Sequence, residues 1–182
     1  AVIEGLRAGG VVGVVKHMPG HGRALVDSHK EVPVVTASEA ELESDIEPFR
    51  TLNWAPMGMT AHVVYNVWDK SRCASLSPTV IGEIIRGRIG FDGFLMSDDL
   101  GMQALAGDFG NRASGVLAAG CDVALHCSGD MSEMQAIAHE LGHMGDQSRL
   151  RLHRAMDTVS EVEAGPDYAD LAARRDELLA YA

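Results

Sequence analysis

The sequence predicts a parallel α/β fold wound as a barrel, and three observations predict it. Apolar runs alternate four times with segments of helical character. The runs are mostly continuous rather than polar–apolar alternating, as expected of strands covered on both faces. The residues with chemical capacity follow the runs, at Lys16-His17, His62, Asp98 and His126. Barrel enzymes place their catalytic residues at the C-terminal ends of strands. A doubly wound sheet obeys a similar rule at its switch point, so position alone leaves that fold open.

In chain order, Ile3–Gly9 reads as the end of a helix, so the chain is expected to open in mid-domain. Val11–Lys16 is the first strand, and a Gly/Pro/His-rich loop follows to about Pro33. Ser38 caps a helix over Glu39–Leu52, with Glu41 three residues on as the reciprocal partner of a capping box. Trp54–His62 is the second strand, weakened by its Pro and Gly. A loop runs to Ser77, which caps a helix over Pro78–Arg88. Gly93–Ser97 is the third strand and ends in Asp98-Asp99. A helix over Arg112–Ala119 stops at Gly120, and Asp122–Cys127 is the fourth strand. From Met131 onward the pattern is two or three amphipathic helices, broken near Gly142–Asp146 and Gly165-Pro166.

Composition narrows the partners. Hydrophobic residues make up 46% of 182, enough for a packed core. The net charge of −11 argues against a nucleic-acid partner and against an anionic membrane surface. No apolar stretch approaches the ~18–20 residues of a membrane span. Three cysteines, Cys73, Cys121 and Cys127, form no disulfide framework and suit a reducing compartment. Cys121 and Cys127 lie in or beside an apolar run and read as small buried thiols.

Two constellations carry chemistry. The first is K-H-M-P-G-H-G over Lys16–Gly22, followed by V-D-S-H over Val26–His29. Lys16 and His17 close a strand and can reach one pocket. Asp27 and His29 are two apart, so in an extended segment they share a side. A carboxylate beside an imidazole fixes its tautomer and favours its protonated form, which makes a general acid/base near neutral pH. Ordinary loop hydrogen bonding is the plainer alternative. Metal ligation by His17, His21 and His29 fits no standard zinc spacing. The second constellation is M-S-D-D-L-G-M over Met96–Met102. A carboxylate at a strand end can attack an anomeric carbon, as retaining glycosidases require. Here Asp98 is the pocket residue and Asp99 the expected cap of the next helix.

These strings, with A-H-V-V-Y, L-S-P, F-D-G-F-L-M-S-D-D-L-G-M and G-C-D-V-A-L-H-C, resemble the family 3 glycosidases of the bacterial β-N-acetylglucosaminidase type. Separated motifs in matching order are far more specific than one short motif. The resemblance implies the C-terminal half of a (β/α)8 barrel with extra C-terminal helices. Residues 1–130 would supply the last four βα units, and 131–182 would be closing helices of the same domain. It implies Asp98 as nucleophile, His29 as acid/base, Asp27 as its partner, and Lys16 and His17 as hydrogen-bonding partners of sugar hydroxyls. The implied substrate is a terminal β-linked N-acetylglucosamine on a peptidoglycan-derived muropeptide, cleaved in the cytoplasm without cofactor or metal during cell-wall recycling. Met18 and Arg23-Ala24 depart from the family's usual residues without changing any spacing. The family's upstream sugar-binding residues are absent from this chain. A complementary N-terminal half-barrel, or self-association, is therefore an expected partner.

Other readings stay open at this point. A histidine acid/base could admit phosphorolysis in place of hydrolysis. His139-Glu140-Leu141-Gly142-His143 is a literal H-E-x-x-H, which on a helix would hold zinc for a metallopeptidase. Gly142 weakens that helix. A non-catalytic half-barrel is the third reading. His62 and His126 are expected to be satisfied, hydrogen-bonded histidines.

Overall fold

A computed structural model describes residues 1–28, 31–159, 165 and 167–180. A short helix α1 (Val2–Ala8) leads into β1 (Val14–Met18), β2 (Val34–Val35), α2 (Glu39–Thr51), β3 (Met57–Thr60) and β4 (Val64–Tyr65). A 3₁₀ turn (Ala74–Leu76) and a π-helix (Val80–Arg88) follow, then β5 (Phe94–Asp99), α3 (Phe109–Ala119) and β6 (Val123–Leu125). Three helices close the chain: α4 (Met131–Glu140), α5 (Asp146–Asp157) and α6 (Tyr168–Leu179).

The main sheet has the order β1-β3-β5-β6, and every pair is parallel. The order advances in one direction without reversal, so there is no switch point of the doubly wound kind. This is how successive βα units line up around a barrel wall. Two pairings slip in register, between Val15 and Met18 on β1 and between Met96 and Asp99 on β5. Such irregularities bend a strand and re-aim its side chains. Both fall where the sequence places its candidate residues, Lys16-His17 and Asp98.

The local reasons for the helices are visible. Ser38 and Glu41 form the expected capping box at the start of α2. The Ser77 hydroxyl accepts from the Val80 amide at 3.1 Å, but the segment it opens is wound as a π-helix. α3 starts earlier than its apolar pattern suggests, because Asp108 accepts from the Asn111 amide at 2.8 Å and caps it there. It ends at Gly120, whose φ of +116° is left-handed backbone that favours glycine.

The core lies between the sheet and its covering helices. Leu42 and Ile46 from α2, Ile81, Ile84 and Ile85 from the π-helix, and Val116 from α3 are all buried beside Leu95 and Phe91. Gly93 admits a close backbone approach, since a Cβ there would lie 2.6 Å from the Ala55 carbonyl. Asp122, just ahead of β6, ties the later helices to the sheet. Its Oδ2 accepts from Arg86 and from the Leu95 amide, both at 2.8 Å. Its Oδ1 accepts from Ser148 at 2.7 Å and from Arg151 of α5 at 3.1 Å. Arg151 and Arg154 also reach Asp92. A buried carboxylate with this many donors is satisfied rather than stranded.

The sequence reading missed the second sheet, in which β2 and β4 pair in parallel. Each contributes two residues, too few for any periodic signal. This ribbon joins the loops that leave β1 and β3. All three cysteines are unpaired. Burial raises Cys73 to about 11 and Cys121 to about 12, which leaves both thiols unreactive at neutral pH. Cys127 departs from its expected burial and is exposed, because β6 ends at Leu125 before reaching it.

Candidate active site

The C-terminal ends of β1, β3 and β5 meet at one mouth. β5 brings Asp98, which is 8% exposed. One of its oxygens, Oδ1, accepts from the Asp99 amide at 2.9 Å. The other, Oδ2, lies 3.9 Å from Nε2 of His17 at the end of β1. That separation is within ion-pair reach and too long for a direct hydrogen bond. Lys16 is exposed beside it, and the Lys16–His17 and Met18–Pro19 peptide bonds are cis. Burial lowers the His17 pKa below the ordinary histidine range, and the Asp98 charge opposes that only in part. Toward the Asp98 carboxylate a neutral His17 can only donate, since that group only accepts.

The residues that flank Asp98 fix it from both sides. The Ser97 hydroxyl donates to the Asp98 carbonyl at 2.8 Å and accepts from the Leu125 amide of β6 at 3.0 Å. Asp99 Oδ1 accepts from the amides of Gly101 and Cys127, both at 3.0 Å. Asp98 therefore stands between two stitches from β5 to β6, at the point where their register slips. Asp99 was expected to cap the following helix. It instead caps a tight turn and the end of β6, while Asp108 takes the helix.

His62 supports the same corner from β3. It is fully buried, with Nε2 3.0 Å from the Asp99 carbonyl and Nδ1 2.8 Å from the Ser75 hydroxyl. Burial lowers its pKa. The neutral ring then donates from Nε2, since a carbonyl only accepts, and accepts at Nδ1. Ser75 shares its one hydrogen between His62 Nδ1 and the Ala61 carbonyl at 3.0 Å, and accepts from the Thr60 hydroxyl at 2.7 Å. His62 is thus the satisfied histidine the sequence suggests. Ser97 and Ser75 were missed, because a hydroxyl in a strand or turn has no spacing that marks it.

The loop after β1 carries the proposed acid/base pair. Asp27 is exposed, and its carbonyl accepts from the Glu31 amide at 3.2 Å. His29 lies outside the described residues. Next to it in sequence, Ser28 is buried and lies 3.3 Å from Nε2 of His21. The His21 ring stands edge-on to His17, with centroids 5.6 Å apart. Arg23 ties the same loop to α2 through Asp45 at 2.5 Å.

The H-E-x-x-H reading does not survive the fold. α4 ends at Glu140, and Leu141 has extended backbone, so His143 does not follow His139 on a helical face. Among the described residues, no group of three His, Cys, Asp or Glu side chains is placed to hold a metal. No described helix is long and apolar enough to cross a membrane.

The family model described as Glycosyl hydrolase family 3 N terminal domain matches residues 1–162. A Beta-hexosaminidase of Alkalilimnicola ehrlichii is 39% identical over 158 residues, covering 83% of this chain and 45% of that protein. One from Chromobacterium violaceum is 44% identical over 133 residues, covering 70% and 37%. Among solved structures, a glycoside hydrolase family 3 beta-N-acetylglucosaminidase from Paenibacillus sp. str. FPU-7 matches with a TM-score of 0.76 at 27% identity, covering 91% of this chain and 35% of that one. NagZ from Neisseria gonorrhoeae, in complex with N-trifluoroacetyl-D-glucosamine, matches with a TM-score of 0.73 at 33% identity, covering 87% and 48%. This chain thus spans less than half the length of each of these relatives, and by these matches it belongs to glycosyl hydrolase family 3.

Proposed function

We propose that this chain carries the nucleophile and the acid/base of a retaining β-N-acetylhexosaminidase. The substrate in this reading is a terminal β-linked N-acetylglucosamine on a peptidoglycan-derived muropeptide. Asp98 attacks the anomeric carbon and forms a covalent glycosyl-enzyme. His29 protonates the departing oxygen and then activates the water that releases the sugar. Asp27 orients His29 and stabilises its charged form. Lys16 and His17 hydrogen-bond sugar hydroxyls. No cofactor or metal enters these steps, and the setting is cell-wall recycling in the cytoplasm.

The observation that carries the reading is the Asp98 carboxylate at the mouth. One oxygen is held by the Asp99 amide, and the other faces His17 without a direct hydrogen bond to it. The sugar analogue bound by the Neisseria relative supports an N-acetylglucosamine site.

Residues 1–130 then form the last four βα units of a barrel, and 131–182 close the same domain. The Arg151–Asp122 contact between α5 and the start of β6 supports that grouping. In this reading the remaining four units come from a complementary segment, which pairs with the free edges of β1 and β6. Proton NMR of early product from the complete barrel tests the chemistry. Retention predicts that the β-anomer appears first, and first appearance of the α-anomer overturns the reading.

A further inference from the structure

One buried group beside the mouth has no part in the steps above. His126 follows β6, and its side chain is only 7% exposed. The ring packs edge-on against Phe109 of α3, with centroids 4.9 Å apart. Its Nε2 lies 2.9 Å from Glu133 Oε2 and 2.8 Å from the Ser128 hydroxyl. Ser128 donates its own hydrogen to Glu133 at 2.5 Å and accepts from the Asp130 amide. Nε2 therefore faces two acceptors and is itself the donor.

Nδ1 is different. It is buried and has no hydrogen-bond partner among the described residues. It looks toward Asp99 Oδ1 at 3.9 Å. A buried ring nitrogen without a partner is costly, and such atoms in folded proteins call for a reason. Asp99 is the residue whose amide holds Asp98 Oδ1 and whose carbonyl receives His62. With the ring protonated at both nitrogens, Nε2–H toward Glu133 and Nδ1–H toward Asp99, a contraction of less than ~1 Å would bring His126 onto the Asp99 carboxylate as a donor.

We propose, on the reading of Asp98 as nucleophile, that His126 is a positioning residue for glycoside cleavage. Its Nδ1 edge braces the Asp99 carboxylate, and through the Asp99 amide it holds Asp98 in line for attack. Glu133, at the start of α4, sets the ring's orientation from the other side. The nucleophile is thereby tied to α4 as well as to the barrel wall.

Two isosteric substitutions separate the ring's edges. His126→Asn keeps an amide group near the Nδ1 position, and His126→Gln keeps one near the Nε2 position. The readout is the rate constant for covalent trapping by a 5-fluoro N-acetylglucosaminyl fluoride in the complete barrel. KM for an aryl N-acetylglucosaminide is measured alongside. His126→Gln is expected to slow trapping by about tenfold with KM changed by less than about twofold, as displacement of a reacting group does. His126→Asn is expected to stay within about threefold of the parent. Equal trapping rates for the two variants, whether fast or slow, overturn the role assigned to Nδ1. If the parent is trapped at a residue other than Asp98, the nucleophile reading fails and this inference with it.

Discussion

The Asp99 carboxylate accepts a hydrogen bond from the Cys127 amide at 3.0 Å, which pins β6 to β5 one residue beyond Asp98. The same oxygen accepts from Gly101, so one atom fixes both a turn and a strand end. Asp99→Ala leaves two backbone donors without that acceptor. We expect it to cost about 1.5–3 kcal/mol in urea unfolding and to lower kcat as well. Asp99→Asn keeps an acceptor in place and is expected to recover most of the stability. Equal losses for both variants would show that the contact is not what holds the corner.

Acid should weaken the fold through His62. Burial holds its pKa below the ordinary histidine value of 6.5. Between that value and the lower folded one, the unfolded chain binds protons that the folded chain refuses. Stability is therefore full above pH 6.5 and falls as pH drops below it. His17 adds to the same trend, since burial lowers its pKa too against the partial opposition of Asp98. Unfolding free energy measured from pH 7 to pH 5 is expected to decline less steeply in His62→Asn. An unchanged slope would mean that other groups carry the acid sensitivity.

The acid/base pair predicts a leaving-group pattern. His29→Ala is expected to slow substrates with poor leaving groups by about 10²–10⁴-fold, and activated aryl glycosides far less. Asp27→Ala follows the same pattern more weakly. Added azide, which needs no general base, should rescue His29→Ala on activated substrates. Equal losses on both substrate types would remove His29 from the role.

Much of this was legible before any fold was known, for physical reasons. The runs around Val14, Gly58, Leu95 and Ala124 are apolar, and each became a strand of the main sheet; β5 is largely buried on both faces, while Val14 on β1 stays exposed. Ser38 and Glu41 announced the start of α2, because a capping box needs those two residues three apart. What stayed hidden depends on contacts distant in sequence. Nothing around Ser97 shows that its hydroxyl will reach the Leu125 amide, 28 residues on. Asp99 beside Asp98 reads as a helix cap until the Cys127 amide is seen to claim it. The H-E-x-x-H string failed because its meaning requires a helix that continues past Glu140.

The open sheet makes a separate prediction about assembly. Among the described residues β1 and β6 are the edges of the main sheet, and an edge strand can offer backbone groups to another chain. Val11, Val14, Val34 and Trp54 are exposed apolar residues on or near the β1 side and its neighbouring ribbon. These 182 residues alone are expected to self-associate and to turn over aryl N-acetylglucosaminides at least about a hundredfold more slowly than the complete barrel. Co-expression with a segment supplying the other four βα units should restore both monodispersity and rate. A monomeric, fully active 19.4 kDa species in light scattering and kinetics would contradict this.

On the proposed mechanism, Asp98 becomes covalently attached to the sugar. The direct measurement is peptide mapping by mass spectrometry after trapping the complete barrel with a 5-fluoro N-acetylglucosaminyl fluoride. The expected result is a single glycosylated peptide spanning Phe94–Leu100, with the sugar on Asp98 and no adduct in Asp98→Ala. An adduct on Asp99 or elsewhere, or one that persists in Asp98→Ala, would contradict it.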